Sequence, residues 1–319
     1  MRSWIGILST LAIAVAVAGA TIDEDFATEP KGRGWEISGD DSLFRWSAEN
    51  RNLEVTWDSG KPNSYFHHPI GTVLAKSDDF GLSFELTLEE VRIGVRPNKP
   101  FTFQIAVGFL NLRAATQTNF ARGTGTQSPS LIEFDYFPDS GFGATISPVI
   151  VSTNNQFIPG FSFPLELTVE DRFQVEMNYR GTDQTLRTTM TRNGNSFGPV
   201  REVKLPSHFT DFRVDVFAVS SFSDAGSDGS IFARGQLDNI SVTVPAPPIA
   251  EFGAEFTPLG WKFEFGTRTG WQYTLERTEN FSTWMTVGVA PAGPGNRHSL
   301  VDQAAPPDRA FYRLKAERP

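Results

Sequence analysis

The 319-residue chain contains no cysteine. Disulfide bonds and a lipid anchor attached through cysteine are therefore excluded, and each folded unit must be held together by burial alone. Histidine is almost as scarce, with only His67, His68, His208 and His298. The first two are adjacent and point to opposite faces of a strand, so a zinc site or a serine–histidine pair has little support. Basic residues number 28 against 37 acidic ones, and no basic stripe is present, which excludes nucleic acid as a partner. Outside the N-terminus no window longer than about ten residues keeps a 3.6-residue apolar period, so helices should be short and few. Internal repeats and a hydrophobic C-terminal tail are also missing.

The N-terminus has Arg2, an apolar run from Ile5 to Val17, then Ala18-Gly19-Ala20 before an acidic stretch. This reads as a secretory signal peptide cleaved after Ala20, too short to span a membrane, and it implies export to the periplasm or beyond. Removing 20 residues from 319 leaves 299; with Arg2 gone, 27 basic groups face 37 acidic ones, a formal charge of −10.

Phenylalanine is abundant, 28 against five tyrosines, and supplies bulk without hydroxyls to satisfy. Apolar residues alternate at period two in Phe84, Leu86, Leu88, in Phe101 to Phe109, in Phe173 to Tyr179, in Phe212 to Ala218 and in Ile240 to Val244. Gly, Pro, Asn and Asp clusters separate the runs, and the pattern predicts half-buried antiparallel strands. About a dozen segments suit a large jelly-roll sandwich over 21–244, making the chain all-β. The proline-rich stretch 245–250 breaks the ladder and reads as a linker. Residues 251–319 read as a small β-sandwich-like domain of four or five strands, small enough to lean on its neighbour.

Leu131 to Pro138 reads Leu-Ile-Glu-Phe-Asp-Tyr-Phe-Pro. Glu133 and Asp135 share one face of such a strand, and Ile132, Phe134 and Tyr136 the other. Two acids about 6.5 to 7 Å apart at the backbone can share a ligand, although any half-exposed strand alternates in this way. The loop Arg122 to Gln127 precedes them and could line their rim, so Arg122 joins the ligand-binding candidates. It is no phosphate loop, because no Gly-Lys-Ser/Thr follows. Trp35, Trp46 and Trp57 are the candidate stacking platforms, Trp57 foremost, with core packing as the competing role. Calcium is the one cofactor suggested, through Asp224 and Asp228 in a Gly/Ser/Asp loop with Asp238 nearby; the loop is not an EF-hand, since Gly235 stands where a bidentate Glu is required.

Leu131 to Pro138, together with Gly235-Gln236-Leu237-Asp238-Asn239-Ile240-Ser241-Val242-Thr243-Val244, resembles concanavalin A-like lectin/glucanase domains over residues 22–244. The resemblance implies a bent jelly roll whose concave face receives a glycan. It does not imply catalysis. In the glucanase branch a second glutamate follows the Glu-x-Asp that Glu133 and Asp135 match; here Phe137 and Pro138 intervene and Asp139 comes one residue late. Tyr273 to Arg277, Trp284 and Phe311 to Leu314 resemble a small β module appended to secreted bacterial proteins. The expectation is a secreted, non-catalytic, lectin-like protein with a glycan partner. The alternatives are a glycoside hydrolase using Glu133, Asp135 and Asp139, and a structural envelope or matrix protein without a glycan ligand.

Overall fold

Phe173, Val175, Met177 and Tyr179 are buried along the strand Arg172–Arg180, while Arg172, Gln174, Glu176, Asn178 and Arg180 face solvent. Period-two alternation thus places one face on a core and the other in water. In the computed structural model, which describes residues 20–123, 127–246, 248–290, 297–306 and 309–318, this strand lies in the larger of two packed antiparallel sheets. The expected signal peptide, Ala20 apart, lies outside the described residues.

Sheet A runs Asn195–Phe197, Thr185–Arg192, Arg172–Arg180, Phe80–Ile93, Ile231–Val244, Asn52–Asp58 and Phe44–Ser47. Ala20–Glu24 pairs with Ile231–Val244, and Val203–Lys204 with Thr185–Arg192. Sheet B runs Phe157–Pro159, Thr145–Val151, Leu131–Phe137, Ile105–Leu110, Val214–Ser221, Ser64–Leu74 and Glu36–Ser38. Between the layers lies one aromatic-rich core, in which Phe84 of sheet A meets Phe134 of sheet B with ring centroids 5.7 Å apart. Each buried ring of this kind contributes about 1.5–3 kcal/mol. The chain is all-β, as its alternation predicts. Helix among the described residues is confined to Leu112–Ala115 and two short 3-10 turns, and no helix there is long and apolar enough to cross a membrane.

Sheet B differs from sheet A in being covered on both faces. Leu131 to Tyr136 and the whole of Thr145–Val151 are buried. The cover comes from segments 111–123 and 127–130: Leu112 N–H donates to Asp215 (2.9 Å), Tyr65 Oη to the Ala115 carbonyl (2.9 Å), and Phe120 stacks on Phe222.

Beyond Pro245 two three-stranded sheets follow, six strands where four or five are expected. One contains Ala250–Thr257, Gly260–Gly266 and Arg297–Asp302; the other contains Met285–Ala290, Gln272–Thr278 and Phe311–Glu317. Their core is Phe265, Trp271, Tyr273 and Ala290, and Val73 of sheet B packs against it. Asp78 joins the two regions. Arg318 donates to both its oxygens (2.6 and 3.0 Å), Arg268 lies 3.5 Å away, and the Arg318 guanidinium stacks over Trp271.

Candidate functional site

Glu133 and Asp135 do share a face, the face of sheet B turned away from sheet A. The register sets Asp135 beside Ala106 and Ser147, with Ser220 next along, and Glu133 beside Gly108 and Val149, with Ala218 next along. These small neighbours leave room for one long side chain, and Arg122 fills it. Its Nη2 donates to Asp135 Oδ2 (2.5 Å) and lies 3.2 Å from Glu133 Oε2. Glu133 is 0%, Asp135 1% and Arg122 3% exposed.

Burial drives the Glu133 carboxyl well above the ordinary carboxylate range; the Arg122 guanidinium opposes this and the neighbouring Asp135 adds to it. Burial also raises Asp135, again against the pull of Arg122. One guanidinium with two buried carboxyls is neutral only if the two carboxyls keep one proton between them. The expectation of a ligand-accessible site at Glu133, Asp135 and Arg122 is therefore corrected: segments 111–123 and 127–130 cover the face, and Arg122 pairs with both carboxyls, while its Nε and Nη1 and Asp135 Oδ1 have no hydrogen-bond partner among the described residues. Asp139, the displaced acid of the hydrolase alternative, lies past the end of the strand and accepts from the Gly141 amide (3.0 Å).

Trp57 requires the same correction, because it is 1% exposed within the core and offers no ring face. The calcium set does not assemble either. Asp224 is 2% exposed, 3.0 Å from Lys99 Nζ and hydrogen-bonded by Ser59 Oγ (2.9 Å), so its charge ties two loops together. Asp228 is exposed, and Asp238 sits on the strand Ile231–Val244, where it accepts from the Asn239 amide. No group of three His, Cys, Asp or Glu among the described residues is placed to hold a metal ion.

The other two tryptophans do come together. Where the edge strands of the two sheets, Phe44–Ser47 and Glu36–Ser38, run out of neighbours, the interlayer space opens into a cavity of about 620 Å3. Trp46 lines it partly exposed, with its indole N–H held by the Phe26 carbonyl at 2.9 Å. Trp35 forms the floor and stacks on Phe66 with centroids 4.6 Å apart. Glu29, Lys31, Glu36 and Asp41 stand exposed around the mouth, and among the described residues none of their side chains makes a hydrogen bond or ion pair. The tryptophans mark this site in the sequence. The four charged residues carry no signal there, because only the two 3-10 turns, Pro30–Arg33 and Asp41–Leu43, and the edge strand Glu36–Ser38 gather them.

Fold and site together define a two-sheet antiparallel sandwich of jelly-roll type with an aromatic cavity at its open edge. No protein-family model matches the chain, and no curated protein resembles it in sequence. Among solved structures, the seed lectin of Lotus tetragonolobus aligns at 11% identity over 71% of this chain and 97% of its own, with a TM-score of 0.44. Lectin I of Ulex europaeus, solved with the methyl glycoside of alpha-L-fucose, aligns at 12% identity over 70% and 98%, with a TM-score of 0.43. A legume lectin-like domain from Entamoeba histolytica aligns at 11% identity over 69% and 95%, with a TM-score of 0.41. At this level of similarity nothing about a site carries over.

Proposed function

We propose that this protein is a secreted, non-catalytic glycan-binding protein whose contact surface is the Trp46 cavity. The observation that carries the reading is a fixed, partly exposed indole bordered by four uncommitted polar side chains. A pyranose covers an aromatic face with its C–H groups while its hydroxyls bond to flanking polar atoms, which is the chemistry this cavity offers. Three carboxylates against one ammonium make the mouth acidic, so a neutral glycan is favoured over one bearing uronate or sulfate. What supports the non-catalytic reading is that Glu133 and Asp135 are buried against Arg122, out of reach of water and substrate. The unit beyond Pro245 serves as an attachment or spacer domain.

A glycan array followed by calorimetry on the full chain tests the reading. Neutral oligosaccharides should bind, and Trp46→Ala should weaken them about tenfold, the loss of one stacked ring, with the thermal midpoint little changed. Binding confined to anionic glycans, or indifferent to Trp46→Ala, refutes it. The structural alternative has one observation in its favour, the closure of the Glu133 face. An array without hits, with and without calcium, selects that alternative.

A further inference from the structure

At the other end of sheet B the covered face opens again. Phe137 follows Glu133 and Asp135 on the same side of their strand, opposite Thr145 on the next. With Phe142, Phe157, Phe161 and Phe163 it surrounds a cavity of about 420 Å3. Phe142, Phe161 and Phe163 are 74, 47 and 52% exposed, and the rings of Phe142 and Phe163 lie 5.5 Å apart. Single exposed phenylalanines need no explanation; three around one cavity do.

The polar groups here differ from those around Trp46. Among the described residues, Ser140 and Thr145 supply the only side-chain hydroxyls of the lining. They bond to each other at 2.8 Å and to the Gly143 carbonyl at 3.1 Å each. Among the described residues no charged side chain lines the cavity. A sugar ring seated here would leave its hydroxyls unpaired, and an ion would lose hydration without a counterion. An uncharged ring loses nothing and gains contact with five phenyl groups.

We infer that this cavity is a second binding site, independent of the Trp46 cavity, for a small uncharged ring-bearing molecule. Its volume falls in the range of small-molecule sites, and its lining selects for apolar, unionised chemistry.

Titrating the full chain with N-phenyl-1-naphthylamine, a neutral dye that brightens in apolar surroundings, tests this directly. Saturable binding is expected, weakened about tenfold or more by Phe142→Ala and by Phe163→Ala and unchanged by Trp46→Ala. Phe142 is so exposed that its truncation leaves the core intact, which an unshifted thermal midpoint will show. Dye binding indifferent to both phenylalanine substitutions overturns the inference. So does equal affinity for the sulfonated analogue 1-anilinonaphthalene-8-sulfonate, since a charge would then be tolerated. A wild-type chain that self-associates in sedimentation while both variants stay monomeric overturns it as well, because a second copy would then be the occupant.

Discussion

Burial pushes the Glu133 carboxyl well above the ordinary carboxylate range, against an Arg122 guanidinium that it shares with Asp135. The folded Glu133 carboxyl titrates above the unfolded value of about 4.3, so in that window the folded state binds more protons than the unfolded one. The stabilisation is complete below that value and is lost as pH rises through the folded one. Glu133→Gln keeps the shape and removes the titration. Urea midpoints from about pH 5 to pH 8 should therefore fall for the wild type relative to the variant, which should be the more stable by about 1–3 kcal/mol at the upper end. Arg122→Met acts in the opposite direction. It strands two buried carboxyls and should cost about 3–5 kcal/mol at neutral pH, measured by the same midpoints.

At the scale of elements, Arg172–Arg180 and Leu131–Phe137 show how far alternation can be read. Both alternate, and both are strands. In the first, the polar set is Arg172, Gln174, Glu176, Asn178 and Arg180, and it meets water as the pattern predicts. In the second, the polar set is Glu133 and Asp135, and it meets Arg122 and the covering segment 111–123 instead. Alternation reports that two faces differ but not what covers them, since the cover comes from another part of the chain. Phe137 was legible only as the residue that breaks the glucanase spacing, yet it floors a cavity completed by rings from 142 to 163. Closure of the acidic strand also makes a chemical prediction. Incubation with β-glucan should release no reducing ends, and wild type and Glu133→Gln should give the same blank; turnover abolished by the substitution would restore the hydrolase reading.

For the molecule as a whole, the two-layer architecture was legible because it needs only strand count, alternation and the break at Pro245. The joint was not. Asp78, Arg268 and Arg318 are ordinary charged residues in the sequence, and only the fold makes one buried carboxylate the partner of two guanidiniums. Asp78→Ala leaves the Arg318 guanidinium, 6% exposed, without its anion and should cost about 3 kcal/mol or more of docking free energy. Limited proteolysis should then cut the 245–250 stretch much faster than in wild type. Equal cutting rates would show that Val73 and the Trp271 cluster suffice to hold the unit in place.

The strand order of sheet B has a further consequence. Glu36–Ser38, beside the Trp46 cavity, and Phe157–Pro159, beside the phenylalanine cavity, are its two outermost strands, six interstrand steps or roughly 29 Å apart. Occupants that far apart neither touch nor compete. With both proposed sites filled, a single molecule would act as a bivalent bridge between a glycan on one flank and an apolar ligand on the other.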